Sequence, residues 1–231
     1  YAAGYPMQTT MIRAFHKAGG RVARILANMT ITDDNEVGFA AIDAQAGRVL
    51  ADSPETFLVL CFYMDRGIVN NFFQQKYPEE LAVFDNGVRF NKPSLASERW
   101  HTVAGNAVRE LVRHVRSSPY ADRVVAYIPC GGEEGQWLHH WGGSDPGKPG
   151  TFSDYSVPMV RYFRNWLSRK YGSDEMLQKA WGNPHVTLNT AMIPSREERI
   201  APRTGMFRDP QLHRNAIDYG EALSQCINDN L

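Results

Sequence analysis

Residues 56–63, Thr-Phe-Leu-Val-Leu-Cys-Phe-Tyr, form a run that is apolar without alternation. A strand with one wet face alternates apolar and polar side chains, so an unbroken run belongs to a strand covered on both faces, as in a parallel sheet. The longest wholly apolar stretch, Phe57 to Met64, has eight residues, well short of the roughly 18 that a membrane helix requires. The chain must therefore surround this strand with other elements, and its neighbours carry the matching patterns.

On the N-terminal side, Met11, Ile12, Phe15 and Ala18 share one face of a predicted helix that Gly19-Gly20 ends. Residues 21–27 are short, β-branched at Val22 and Ile25, and follow that glycine break, which reads as a strand. Residues 39–50 place Ile42, Ala46, Val49 and Leu50 at helical spacing. Residues 65–97 read as an extended loop with one or two short turns. Ser97 then stands as a helix N-cap, Glu98 lies in the first turn, and Trp100, Val103, Ala104, Ala107, Val108, Leu111, Val112 and Val115 trace one apolar stripe. Residues 123–128 form the next strand. Further on, residues 157–171 are amphipathic and end at Gly172, Ser173 caps a short helix that stops at Gly182, residues 189–210 are loop-like, and residues 211–231 close with a helix. Helices alternating with strands at this spacing predict an α/β class with parallel strands and chemistry in the loops at their carboxyl ends.

Composition narrows the function. With 25 Lys+Arg against 25 Asp+Glu the formal net charge is zero, which argues against nucleic acid as a partner, since neutralising phosphates needs a positive surface. No membrane segment is expected. Cys61, Cys130 and Cys226 show none of the close spacings of zinc or redox motifs; the odd count leaves one thiol unpaired and favours a reduced, cytoplasmic protein, although the compartment stays open. The first residue is Tyr1 rather than Met, so the sequence reads as a processed or truncated piece.

The densest chemistry follows the third strand. Gly131 to Gly143, Gly-Gly-Glu-Glu-Gly-Gln-Trp-Leu-His-His-Trp-Gly-Gly, gathers two acids, two histidines and two tryptophans. Glycosidic bond cleavage needs a protonated carboxylic acid beside the leaving oxygen and a second carboxylate across the sugar ring, with aromatic faces to stack the sugar. Glu134, with Glu133 as second choice, suits the acid, and Trp137 and Trp141 suit the platform. Adjacent glutamates in a loop are otherwise ordinary solvated charge; the position after a buried strand is what lifts them. His139 and His140 invite a metal, but adjacent side chains rarely converge on one ion and no two-His-plus-Glu motif is present, so no metal is expected. Gly131-Gly132 extends to neither a dinucleotide nor a phosphate-loop pattern, and no cofactor is expected.

The string from Phe163 to Gly182, with Phe163, Arg164, Trp166, Leu167, Lys170, Tyr171, Gly172, Ser173, Glu175, Leu177, Ala180, Trp181 and Gly182 in register, closely resembles a segment of bacterial family-42 glycoside hydrolases, the β-galactosidases. Ala40-Ala41-Ile42-Asp43, Pro78-Glu79-Glu80, Ser94 to Ser97 and Pro119 to Val125 resemble the family as well. The resemblance implies a partial (β/α)8 TIM barrel spanning residues 1–231 and covering roughly strands 2 to 4 with their helices. It also implies retaining hydrolysis of β-glycosides, with the acid/base after the fourth strand and the nucleophile after the seventh. Gln136 and His140 join the tryptophans as expected substrate contacts. Two departures stand out: the strings comparable to the one that carries the family's acid are Gly132-Glu133-Glu134 and Gly135-Gln136-Trp137, the second with an amide in the acid's place, and the strand for the nucleophile is missing from this sequence. They motivate an alternative, a non-catalytic carbohydrate-binding or structural subunit derived from such a barrel. A third reading, metal-dependent hydrolysis through His139 and His140, lacks a motif. A complete barrel takes about 250 residues, so the partners implied are a carbohydrate and the remainder of the barrel or another chain, and open strand edges imply an oligomer.

Overall fold

The structure is a computed structural model of the 231-residue chain, and it describes residues 9–65, 68, 71–132, 135–137, 152–200 and 207–230. In chain order the elements are α1 (Thr9–Lys17), β1 (Val22–Leu26), β2 (Thr30–Asp33), β3 (Glu36–Gly38), α2 (Ala40–Asp52), β4 (Phe57–Tyr63), α3 (Phe72–Lys76), β5 (Leu81–Val83), β6 (Arg89–Pro93), α4 (Glu98–Ser117), β7 (Val124–Cys130), α5 (Val157–Tyr171), α6 (Asp174–Trp181), α7 (Arg196–Ile200) and α8 (Arg214–Asn228). Two compact units emerge: Tyr1–Lys76 with His101–Leu138, and Tyr77–Trp100 with His139–Leu231.

The first unit is built on a three-stranded sheet of order β1-β4-β7, parallel throughout, with Ile25 opposite Leu60 and Leu60 opposite Tyr127. The unbroken apolar run is its middle strand. Leu58 and Leu60 are fully buried and Cys61 and Phe62 nearly so, as expected of a strand flanked on both edges and covered on both faces; each such leucine contributes roughly 1.5–3 kcal/mol of burial. The ladder continues beyond the strand ends, where the Ala27 amide donates to the Cys61 carbonyl at 2.7 Å and the Met64 amide to the Cys130 carbonyl at 2.6 Å. The mixed α/β class with a parallel sheet therefore stands. Among the described residues β1 and β7 pair with β4 and with no other strand, and β7 leaves Val125, Tyr127 and Ile128 exposed.

Helices α2 and α4 bury the faces their periods predict: Ile42 and Ala46 on one, Trp100, Val103, Ala104, Ala107, Leu111 and Val115 on the other. Ser97 caps α4 as expected, its Oγ accepting the Trp100 amide at 3.0 Å. In the first unit, Asp43 of α2 lies 2.7 Å from Nε2 of His114 and accepts the Tyr120 hydroxyl at 2.5 Å. Burial pushes the Asp43 carboxyl up, but the hydrogen bonds from Tyr120 and His114 outweigh it and leave the group below the usual carboxylate range. A carboxyl depressed in the folded state contributes stability above its unfolded value of about 3.9, and that contribution is lost as pH falls through the folded value. Thermal midpoints measured from about pH 5 down to pH 3 should therefore fall less steeply in Asp43→Asn than in the parent; equal slopes would remove Asp43 from the acid response.

Residues 65–97 depart from the expected loop. They contain α3 and an antiparallel hairpin in which Leu81 faces Pro93 and Val83 faces Arg89. Three- and five-residue strands are too short for alternation to register, but Asn86-Gly87 is a hairpin signal in its own right, and Gly87 takes φ +79° there. A second short hairpin pairs β2 with β3 around Asp34 and Asn35. Helix α7, five residues inside the other expected loop, is likewise below the length at which a helical period shows.

The second unit packs α5, α6 and α8 around Met159, Phe163, Leu167, Leu177, Tyr219 and Ala222. Three of its caps, Ser173, Gly172 and Gly182, are those the sequence marks. Ser156 and Ser173 accept the Met159 and Met176 amides, and Gly172 and Gly182 end α5 and α6 in the left-handed region. On α8 the buried set is Ala216, Asp218, Tyr219, Ala222 and Cys226, with Leu223 and Ile227 partly buried. The face that the helical period predicts, Ala216, Tyr219, Leu223 and Ile227, is the one packed on the core, with Asp218 buried beside it.

Candidate functional site

The carboxyl ends of the three parallel strands lie at Leu26, Tyr63 and Cys130. Immediately beyond β7 the chain turns through Gly131 and Gly132, the latter at φ +68°, and the described part of the acid-rich loop is Gly135, Gln136 and Trp137. Trp137 is half-buried, holds φ +59°, and folds back on its own loop: its amide donates to the Gly131 carbonyl at 2.8 Å and its Nε1 to the Pro129 carbonyl at 3.2 Å. The indole lies so close over Gly131 that a Cβ there would come within 2.7 Å of the ring. Gly135, at φ +76°, has the Tyr63 ring at the same 2.7 Å from a Cβ position. Both glycines are therefore required, one by an indole and one by a phenol, and alanine at either would displace the aromatic it supports.

Gln136 is exposed. Glu133, Glu134, His139, His140 and Trp141 lie outside the described residues, so of the expected site residues the structure brings together Gln136 and Trp137 on the loop that follows β7.

Beneath the loop, Cys61 and Cys130 face each other at 3.2 Å between sulfurs in a cluster with Tyr63 and Leu26. Burial pushes the Cys130 thiol up to about 11, and the contact with Cys61 pushes the same way. The register sets Cys61 opposite Ile128 and Tyr63 opposite Cys130, so the two cysteines are diagonal neighbours with Cα atoms about 8 Å apart by strand spacing and rise. That exceeds the reach of an unstrained disulfide. These are packing thiols.

A buried acid that the sequence reading passed over ends this wall: Asp65, 2% exposed, two residues past β4. Its charge is felt at Cys130, where it raises the thiol further. The signal was position alone, an acid closing the most buried strand.

Two other buried carboxylates, both in the second unit, are saturated by donors. Asp154 accepts the Val83 and Ser156 amides at 3.0 and 2.9 Å and the Ser94 hydroxyl at 2.6 Å, while its carbonyl takes the Tyr219 hydroxyl at 2.7 Å. Asp218, fully buried, accepts Lys170 Nζ and Arg214 Nε at 2.9 Å on one oxygen and the Tyr171 hydroxyl and Trp181 Nε1 at 2.7 Å on the other. A carboxylate that is sealed from solvent and holds three or four donors in place ties separate segments together. Lys170, Tyr171 and Trp181 all belong to the string that carries the family resemblance, and its Phe163 stacks on Trp166 and Trp181. The most specific sequence motif thus has a physical meaning: it encodes a packing cluster around Asp218. Among the described residues no group of three or more His, Cys, Asp or Glu is placed to hold a metal ion.

No protein-family model matches the chain, and no curated protein matches it. Solved structures do. A β-galactosidase from Bacillus circulans sp. alkalophilus superposes with a TM-score of 0.64 at 18% identity, over 98% of this chain and 32% of that one. A β-galactosidase from the haloarchaeon Halorubrum lacusprofundi gives 0.63 at 15%, over 96% and 30%. A family-42 β-galactosidase from G. stearothermophilus gives 0.62 at 13%, over 95% and 29%. At these identities the likeness establishes fold. The chain is similar along nearly its whole length to part of the family-42 β-galactosidase fold, as the sequence resemblance implied, and it spans about a third of the length of the structures it matches.

Proposed function

We propose that residues 1–231 form part of a retaining β-glycosidase barrel in which β1, β4 and β7 are the second, third and fourth strands and Glu134 is the general acid/base. The observation that carries this reading is the parallel β1-β4-β7 sheet with the acid-rich loop leaving the carboxyl end of β7, within a chain whose fold matches β-galactosidases along 95–98% of its length. Active sites of α/β barrels sit at that end of the strands. Glu133 is the second choice for the acid. Trp137, Trp141, Gln136 and His140 are assigned to the sugar, with a β-galactoside as the leading substrate class and the catalytic nucleophile supplied by polypeptide beyond this sequence. The test is Glu134→Gln in the longest chain that carries the whole barrel, assayed on β-galactosides. Activity at full rate in both Glu134→Gln and Glu133→Gln would sink the assignment.

Gln136 favours a second reading. If this exposed amide occupies the acid's place, the protein binds carbohydrate without turning it over, and calorimetric binding of a galactoside with no hydrolysis is the expected result.

Among the described residues β1 and β7 each pair on one edge alone, with Val125, Tyr127 and Ile128 exposed along β7, which leads to a further expectation. Residues 1–231 expressed alone should self-associate in sedimentation experiments, because unpaired backbone groups and apolar side chains on an edge strand template pairing. A monodisperse monomer that unfolds cooperatively would contradict it.

A further inference from the structure

We propose that Asn86 is a site of self-modification: the backbone nitrogen of Gly87 converts its carboxamide to a carboxylate, at a rate set by how often the β5–β6 hairpin opens. The site lies in the second unit and does not rest on the catalytic reading.

Asn86-Gly87 is the single Asn-Gly pair in the sequence. A side chain on the residue after an asparagine crowds the backbone nitrogen that can attack the carboxamide, and glycine carries none. At Gly87 even a Cβ would meet nothing within 4 Å. Asn86, Gly87 and Val88 are all exposed, so water and hydroxide reach the turn freely.

The fold supplies one element of the chemistry and withholds another. Asn86 Oδ1 accepts the Val88 amide at 3.0 Å. A donor on that oxygen draws electrons from Cγ and stabilises the oxyanion formed when the carbon is attacked. This contact joins near neighbours in the chain and can re-form in an opened turn. The attacking nitrogen, by contrast, is engaged in the closed one: the Gly87 amide donates to the Phe84 carbonyl at 2.9 Å, beside the Phe84 amide on the Val88 carbonyl at 2.9 Å. An amide nitrogen whose proton is held on a carbonyl is no nucleophile.

The closed turn is also held by its neighbours. Asp85, with 7% of its side chain exposed, pairs with Arg196 of α7 at 3.0 Å, its amide donates to the Phe152 carbonyl at 2.9 Å, and the Arg196 guanidinium lies over the Phe152 ring. Conversion therefore runs through the opened hairpin, and its rate is that of the free chain multiplied by the open fraction.

The step needs only hydroxide and water. Hydroxide takes the proton of the Gly87 N–H, the nitrogen lone pair bonds to Asn86 Cγ, and the Cγ–Nδ2 bond breaks as ammonia leaves with a proton from water. Water then adds to either carbonyl of the cyclic imide, and the C–N bond that breaks decides between aspartate and isoaspartate. The net change is one water consumed and one ammonia released. Both products set a new carboxylate beside Asp85, and isoaspartate also lengthens the backbone of the turn by one methylene.

The test incubates the whole chain in mildly alkaline buffer and maps its peptides by mass spectrometry, with a protease that cleaves before aspartate but not before isoaspartate. Asn86 should convert ahead of every other asparagine, and at least about tenfold more slowly in the folded chain than in concentrated guanidinium. Arg196→Ala, which leaves Asp85 buried without its cation, should raise the folded rate about tenfold. Urea below the unfolding transition should raise it in the parent as well. In guanidinium, Gly87→Ala should slow conversion, because a methyl group crowds the attacking nitrogen. Asn86 intact after other asparagines have converted, equal rates in folded and unfolded chains, or a folded rate that both Arg196→Ala and urea leave unchanged would overturn the proposal. A rate in guanidinium indifferent to Gly87→Ala would overturn the attack by Gly87.

Discussion

Asp218→Asn is expected to lower the stability of the second unit by about 3 kcal/mol, near the lower end of the range for removing one partner of a buried ion pair. For a chain of this size that corresponds to a fall of roughly 6–12 °C in thermal midpoint. The wild-type carboxylate answers four donors, two of them cationic. An amide of the same shape offers one oxygen and turns its N–H groups toward donors that cannot accept them. Lys170 and Arg214 would then lie beside a neutral group, each about a quarter exposed and with Glu221 as a remaining partner, which is why the lower end of the range applies. Tyr171, whose hydroxyl is pushed up to about 12 by burial and by its bond to Asp218, would keep its proton but lose its acceptor. Trp166 and Trp181 report the change directly, since one carries Lys170 over its ring at 4.5 Å and the other donates to Asp218. An unchanged midpoint by tryptophan fluorescence would mean that the cluster contributes packing alone.

In a complete barrel, Glu134→Gln is expected to lower kcat on alkyl β-galactosides by about 10²–10⁴, the usual contribution of a positioned general acid or base. Glutamine cannot protonate the departing oxygen. The loss should shrink with nitrophenyl leaving groups, which depart without a proton, and the alkaline limb of the pH profile should disappear, because that limb reports deprotonation of the acid. This pattern distinguishes a lost acid from a misfolded loop, which would depress all substrates alike. If the pattern appears in Glu133→Gln instead, the roles of the two adjacent acids are exchanged.

Much of the scaffold was legible in the sequence. The three central strands, the helices α1, α2, α4, α5, α6 and α8, and the caps at Ser97, Ser173, Gly172 and Gly182 all lie where period and capping chemistry put them. The two short hairpins and α7 were not, since elements of three to five residues leave no period to read, although Asn86-Gly87 marked one of them. For the site, the position of the loop after β7 was legible. The folding of Trp137 onto Gly131 was not, and neither was Asp65 at the end of β4.

What the sequence determined by itself was local: which residues extend, which coil, where each helix starts and stops, and which face of each is apolar. Those choices are set by energies acting within a turn or a strand, and they are written in residues a few positions apart. The tertiary structure alone decided which elements meet. It placed Lys170, Tyr171 and Trp181 on an aspartate 37 to 48 residues away, set Cys61 diagonal to Cys130, and made the apolar run the middle strand of three. Pairings of that kind depend on closing long loops and on packing many side chains at once, so no short window of sequence contains them. The run at residues 56–63 announced a strand buried on both faces; only the fold could say that β1 and β7 are the strands that flank it.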